Sequence, residues 1–156
     1  MIKIDRAILA ELEAILTVDQ LCFDQRITDI EVKYNILHND NLCLTCYYNG
    51  FLCGFVTVKF SKYKSIAFVG RLAVNPSYQN KGIGKALLNY VEQEVKKIGS
   101  KKVRLQVRQS NTKAVDFYKK NGYNVLNELP NFYDEGADAY NMEKTIDGNS
   151  SFNGFN

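Results

Sequence analysis

Gln79-Asn80-Lys81-Gly82-Ile83-Gly84-Lys85-Ala86-Leu87-Leu88 is a basic, glycine-punctuated loop that runs directly into an amphipathic helical pattern. Just upstream, Phe68-Val69-Gly70-Arg71-Leu72-Ala73-Val74 reads as a strand closed by Asn75-Pro76. Strand, tight loop and helix N-terminus in that order build an anion site. First-turn N–H groups lack intrahelical partners, and the helix dipole adds about half a positive charge. Glycine lets the backbone come within hydrogen-bonding distance of phosphate oxygens. Spacing narrows the choice of ligand. A P-loop places glycine at the position of Gln79 and Ser or Thr at that of Ala86. A dinucleotide fingerprint needs a third glycine where Leu87 stands. What remains is a Q-x-x-G-x-G loop, and taken alone it is also compatible with an ordinary turn and helix start.

A second stretch bears on that choice. Strand-like Lys102-Val103-Arg104-Leu105-Gln106-Val107-Arg108 leads through Gln109-Ser110-Asn111 into Ala114-Val115-Asp116-Phe117-Tyr118-Lys119-Lys120-Asn121-Gly122-Tyr123. Together the two stretches resemble the pyrophosphate loop (Q/R-x-x-G-x-G/A) and the second signature (V-R-x-S-N-x-x-A-x-x-F/L-Y-x-x-x-G-F/Y) of the GNAT superfamily of acetyl-CoA-dependent N-acetyltransferases. They stand in the family's order and at its usual separation. The resemblance covers most of residues 1–147 and is strongest toward ribosomal-protein (N-α) acetyltransferases. It implies an α/β (α+β) GNAT fold, a mixed and mainly antiparallel sheet of about six to seven strands flanked by about four helices. Residues 1–147 are then one acetyltransferase domain. Residues 148–156, small and polar apart from two phenylalanines, are expected to be a flexible C-terminal tail.

Composition sets wide bounds. A chain of 156 residues, 46% apolar and 24% charged, suits one soluble globular domain. The net charge of +3 is mild, so no nucleic-acid partner is expected. No apolar run approaches the roughly 20 residues of a membrane span, so no membrane partner is expected either. The opening residues carry no signal-peptide core, and a cytoplasmic location is expected. The chain would act as a monomer or a homodimer.

The four cysteines invite a metal or disulfide reading. Cys43 and Cys46 have C-x-x-C spacing, but on a strand residues three apart point to opposite faces and cannot chelate one ion. Asn49-Gly50 is a two-residue hairpin turn that predicts Cys46 opposite Cys53, with Cα atoms about 5.5 Å apart. A bridge is geometrically open there, although free thiols are the expectation for a reducing compartment. His38 is the only histidine, and no metal is expected.

Periodicity orders the rest. Ile2 and Ile4 predict a first strand, Asp5 a helix N-cap, and Ile8, Leu12, Ile15 and Leu16 one helical face. Phe23-Asp24-Gln25-Arg26 reads as a loop before a helix over 28–37, and the hairpin joins strands 42–48 and 51–60. The helix after the basic loop is expected to bury Ile83, Leu87, Val91, Val95 and Ile98 and to stop at Gly99. A strand over 102–108, a helix ending near Asn121 and strands near 123–128 and 138–145 complete the pattern.

The resemblance also implies roles. Leu72, Ala73 and Val74 would pair their backbone with the pantetheine arm of acetyl-CoA, with the Val74 N–H as donor to the thioester carbonyl. Gln79, Asn80, Lys81, Gly82, Ile83, Gly84 and Lys85 would hold the pyrophosphate. Asn111 matches the asparagine that contacts the pantetheine arm, with helix N-cap as its rival role. Tyr118 stands where the family's tyrosine protonates the departing CoA sulfur, with plain packing as the alternative.

The base is where this chain departs from its relatives. Ribosomal-protein acetyltransferases carry glutamate at the position of Gln106, and the tyrosine base of other relatives is replaced by Phe68. Neutralising an α-amine of pKa about 7.7–8.0 at pH 7 costs roughly 1 kcal/mol, whereas a lysine-like amine of about 10.4 costs roughly 4.6 kcal/mol. A site without a strong base therefore favours an α-amine. Phe132-Tyr133 and Asp138-Ala139-Tyr140 resemble the acceptor loop and last strand of N-terminal acetyltransferases, and Phe23 matches an aromatic at their peptide entry. Asp24, which replaces a proline common there, together with Glu135 and Asp138, leaves room for a cationic acceptor. The expected function is acetyl transfer to a primary amine, with the α-amine of a protein or peptide N-terminus as the first expectation and Phe23, Asp24, Gln106 and Tyr133 at the acceptor. The alternatives are a small amine or polyamine as acceptor, or a CoA-binding module that has lost catalysis.

Overall fold

The computed structural model describes residues 1–38 and 40–146. The tail expected over 148–156 lies outside them. Two compact units share a strand and a helix. One comprises Met1–Phe60 and Gly70–Glu94, and the other Ser61–Val69 and the described residues from Val95 onward.

In the first unit, β1 (Ile2–Arg6) pairs antiparallel with β2 (Leu42–Tyr48), placing Asp5 opposite Thr45. Asp5 is therefore a strand residue and not the expected cap. The chain instead turns at Ile8, whose N–H donates to Glu11 Oε1 at 2.8 Å, before α1 (Leu12–Cys22). Thr28 caps α2 (Asp29–Leu37): its hydroxyl accepts from the Glu31 N–H at 3.1 Å, and Glu31 Oε1 accepts from the Thr28 N–H at 3.2 Å. Ile15 and Val18 of α1 and Val32 of α2 close a core with Phe55 and Ala73.

The hairpin between β2 and β3 (Phe51–Phe60) has the expected turn, with Asn49 at φ 49° and Gly50 at φ 88°. Its register is not the expected one. Tyr47 faces Leu52 but Cys46 faces Gly54, so Cys53 is the extra residue of a bulge. All four cysteines are free thiols.

β4 (Ile66–Val74) changes partners midway. In the second unit it runs parallel to β5 (Lys102–Arg108), in register from Ile66 opposite Lys102 to Val69 opposite Leu105. At the next residue, Gly70, a Cβ would lie 2.7 Å from Thr57 Oγ1, so any side chain there would force Thr57 to shift. That hydroxyl accepts the Arg71 N–H at 3.0 Å. Beyond it the chain follows β3, with the Asn75 N–H donating to the Cys53 carbonyl at 2.7 Å. Alternation along the strand then turns the Val74 N–H and carbonyl toward the opposite edge.

α3 (Ile83–Ile98) buries Ile83, Leu87, Val91 and Val95 as expected, and Leu88 as well. Ile98, expected in the core, is 40% exposed, because it is the last helical residue before Gly99 at φ 105°. In the second unit, α4 (Thr112–Lys120) follows β5, and β7 (Ala139–Thr145) pairs antiparallel with both β5 and β6 (Asn124–Leu129). The strand order β1-β2-β3-β4-β5-β7-β6 makes a mixed, mainly antiparallel sheet of seven strands. No helix among the described residues is long and apolar enough to cross a membrane.

Candidate active site

In the first unit, the end of β4 leads into an anion cradle. Asn75 Oδ1 accepts the Ser77 N–H at 2.9 Å and fixes a 3-10 turn over Pro76–Tyr78. Gln79 is extended, and Asn80 (φ 65°) and Gly82 (φ 79°) are left-handed, an alternation that turns successive N–H groups inward as an anion nest. The Gly82 carbonyl accepts the Ala86 N–H at 3.0 Å. The N–H groups of Ile83, Gly84 and Lys85 thus form the first helical turn, where no intrahelical acceptor is available. A Cβ on Gly82 would meet nothing within 4 Å. Glycine stands there for its left-handed backbone, and the space beside it is open.

The loop's side chains divide. Ile83 is 1% exposed and belongs to the core, so only its backbone can serve an anion. Lys85 is exposed, and the Lys81 ammonium lies 5.5 Å from the Tyr48 ring centroid. Leu72 and Val74 are half-buried and Ala73 is buried. The Val74 carbonyl accepts from Cys22 Sγ at 3.2 Å and Gln79 Nε2 at 3.4 Å.

The α1–α2 loop carrying Phe23 and Asp24 is held by a pair that the sequence reading missed. Asp19, 0% exposed, accepts from Arg71 at 2.8 Å through Oδ1 and from the Ile27 N–H at 2.8 Å through Oδ2. Arg71 also donates to the Gln25 carbonyl at 2.6 Å and lies 4.4 Å from the Phe23 ring centroid. One guanidinium thus fixes three points around the loop. The signal was present: Asp19 follows Ile15 at helical spacing on the buried face of α1, where a carboxylate needs a cation. Asp24 itself is exposed.

In the second unit, Tyr118 projects from α4 with its ring edge-to-face on Phe117 (5.3 Å) and Tyr123 (5.8 Å). Desolvation by burial, and secondarily the Tyr133 phenol, push its pKa above that of an ordinary tyrosine. The phenol is therefore a proton holder at neutral pH, as an acid requires. Asn111 caps α4, its Oδ1 accepting the Ala114 N–H at 3.1 Å. The cap thus takes its side-chain oxygen and leaves the amide nitrogen as its donor.

Gln106 and Arg108 share one face of β5. Arg108 donates to Glu135 at 2.6 Å and stacks 4.1 Å from the Tyr133 ring centroid. The Tyr133 N–H donates to the Ala137 carbonyl at 3.1 Å, and Asp138 Oδ1 accepts the Asn131 N–H at 2.9 Å, closing the loop on itself. Gln106 Nε2 donates to Asn141 Oδ1 at 3.1 Å. Phe68, read from the resemblance as replacing a tyrosine base, stands opposite Arg104 in the β4–β5 register. The second unit therefore offers a protonated phenol, an aromatic loop clamped by arginine, and the neutral amide of Gln106 on the same face of β5 as that arginine.

A model of the acetyltransferase (GNAT) family matches residues 9–123, a span that contains both motifs. The chain belongs to the GNAT acetyltransferase family. This acetyltransferase is 30% identical to N-alpha-acetyltransferase 50 of Danio rerio over 126 residues, covering 74% of the chain and 75% of that protein. It is 39% identical to the [ribosomal protein bS18]-alanine N-acetyltransferase of Escherichia coli over 62 residues, which spans only 42% of that enzyme. The crystal structure of the Escherichia coli ribosomal-protein-S18-alanine N-acetyltransferase superposes with a TM-score of 0.84 at 27% identity, covering 94% of the chain and 95% of that one. Arabidopsis thaliana Naa50 in complex with the bisubstrate analogue CoA-Ac-MVNAL superposes with a TM-score of 0.80 at 25% identity, covering 92% and 97%.

Proposed function

We propose that this acetyltransferase transfers acetyl from acetyl-CoA to the N-terminal α-amine of a protein or peptide by direct attack. The N–H groups of residues 79–85 bind the pyrophosphate, and the exposed Lys81 and Lys85 add charge. The backbone of Leu72–Val74 pairs with the pantetheine arm, and the Val74 N–H polarises the thioester carbonyl. Such a preorganised donor is worth about 3–4 kcal/mol at the transition state. The amine nitrogen forms the new bond to the carbonyl carbon while the C–S bond breaks. The sulfur takes the Tyr118 phenolic proton, the acylated nitrogen sheds its extra proton to solvent, and the phenolate recovers one from solvent, so the proton lost by the amine balances the one gained by the thiol. Asn111 turns its amide nitrogen to the pantetheine arm while its oxygen caps α4.

The observation that carries the acceptor class is Gln106, a neutral amide hydrogen-bonded to Asn141 where a base is expected. Without a carboxylate or imidazole, the site suits an amine that is partly neutral near pH 7, which an α-amine is and a lysine-like amine is not. Phe23 and the clamped Tyr133 are each assigned a contact with the peptide. The polyamine reading needs free carboxylates: Arg108 neutralises Glu135 and Asp138 takes the Asn131 N–H, which leaves the exposed Asp24 as the carboxylate that reading would rest on. The relatives named N-alpha-acetyltransferase and the neighbour bound to CoA-Ac-MVNAL support the same choice.

The test is free-thiol release from acetyl-CoA against N-terminal peptides, polyamines and small amines. Peptide turnover is expected. Faster turnover of a polyamine would replace the acceptor, and acetyl-CoA binding without turnover of any amine would leave a CoA-binding module.

A further inference from the structure

A row of three amides crosses β5, β7 and β6. Gln106 stands opposite Asn141, and Asn141 opposite Asn127. Gln106 Nε2 donates to Asn141 Oδ1 at 3.1 Å, and Asn141 Nδ2 donates to Asn127 Oδ1 at 3.0 Å. The row has a direction. At its outer end Asn127 Nδ2 donates to the Glu128 carbonyl at 3.4 Å, which turns Asn127 Oδ1 toward Asn141. An amide that accepts through its oxygen on one side presents its nitrogen on the other, so each member orients the next. At the inner end this leaves Gln106 Oε1, which accepts no hydrogen bond from the described residues.

The row exists because β6 carries a bulge. Val125 faces Met142 and Asn127 faces Asn141, so Leu126 is the extra residue. Counted without a bulge from Val125, Leu126 would stand beside Asn141 and the row would end in a side chain that accepts nothing. The inner end lies on the face of β5 that also carries Arg108 and, through it, Tyr133.

We infer that Asn127 and Asn141 are positioning residues that hold the Gln106 carboxamide with Oε1 toward the acceptor, where it takes one N–H of the attacking amine. This rests on the acceptor-side reading of Gln106 given above. A neutral oxygen orients the nitrogen lone pair without removing a proton, so the ladder sets acceptor affinity and geometry and adds no titrating group of its own.

Kinetics with an N-terminal peptide test the inference. Asn141→Ala is expected to raise the acceptor KM about three- to tenfold, the worth of one net hydrogen bond, with the acetyl-CoA KM unchanged. Asn127→Asp keeps an oxygen facing Asn141 Nδ2 and is expected to retain the wild-type acceptor KM, whereas Asn127→Leu is expected to raise it. Asn127 is exposed, so both of its variants are expected to fold. A readout independent of turnover is solvent exchange of the Gln106 side-chain amide by NMR, slowed in the wild type and accelerated in Asn141→Ala. Wild-type acceptor KM in both Asn141→Ala and Asn127→Leu would overturn the inference. So would acceptor and acetyl-CoA KM rising together, or Gln106 exchange that ignores Asn141. If the wild type turns over a polyamine instead of a peptide, the α-amine assignment falls, and the same variants measured against that polyamine still decide the ladder.

Discussion

Arg71→Met should be among the most damaging single substitutions outside the cofactor loop. Asp19 is 0% exposed and Arg71 24% exposed, so removing the guanidinium leaves a carboxylate in the core with half its partners gone. Breaking a buried ion pair from one side costs about 3–5 kcal/mol. Asp19 Oδ2 keeps the Ile27 N–H, which places the loss near the lower end, at about 3 kcal/mol. Loss of the Gln25 carbonyl contact and of the Phe23 stacking adds about another 1 kcal/mol. The double variant Asp19→Asn/Arg71→Met removes both charges, and it should be more stable than Arg71→Met alone by about 2 kcal/mol. Urea unfolding of wild type, both singles and the double gives the cycle directly, read as midpoint shifts at constant slope. An Arg71→Met loss below about 0.5 kcal/mol would refute the reasoning, since that is the range of an inconsequential surface change. A coupling of zero between the two positions would refute it equally.

Three further outcomes follow from the same geometry. Tyr118→Phe should lower kcat about a hundredfold or more with little change in acetyl-CoA affinity, the usual scale for a lost general acid, and wild-type rates would exclude the role. Because burial raises the Tyr118 pKa above its ordinary 10.0, kcat of the wild type should show no alkaline loss through pH 10, and a descending limb below that would contradict the assignment. Gln106→Glu introduces a group with a pKa of about 4.3, so activity should extend to lower pH if position 106 faces the amine, and an unchanged pH profile would mean the proton leaves elsewhere. Burial alone would raise the Glu143 carboxyl, but Arg104 at 2.5 Å and Lys102 at 3.5 Å outweigh it and hold the group below its ordinary 4.5. Its stabilisation is therefore complete above pH 4.5 and lost as pH falls through the lower folded value. The stability gap between wild type and Glu143→Gln should shrink on acidification over that range, and a gap independent of pH would count against it.

Much of this molecule was legible in its sequence, because its decisive signals are local. Asn49-Gly50 sets its own turn, Gly82 its own left-handed cap, and β5 its own alternation between buried and half-buried residues. What escaped depends on counting across strands. The bulges at Cys53 and Leu126 each shift a register by one residue, and nothing in either side chain announces it. The first pairs Cys46 in register with Gly54, while Cys53 Sγ still donates to the Cys46 carbonyl at 3.4 Å, and the second brings Asn127 to Asn141. Asp5 misled because an acidic residue before a helical pattern is a good cap signal, yet β1 runs on through Arg6 and the turn comes later. Asn111 was read as a contact to the pantetheine arm with helix N-cap as the rival role, and of the two the described contacts contain the cap, through Oδ1 to the Ala114 N–H.

The four free thiols have a practical bearing on how this enzyme can be measured. Burial raises the pKa of every one, to about 12 at Cys43 and Cys46 and above the ordinary 9.0 at Cys22 and Cys53. Almost no protein thiolate is present at neutral pH, and thiolate is the form that thiol-titrating dyes detect. A colorimetric assay of released CoA should therefore run on the native, cysteine-containing protein with a low and steady background. Cys22 is the one to watch. Its Sγ donates to the Val74 carbonyl, so slow alkylation there would disturb the end of β4, the strand proposed to hold the pantetheine arm.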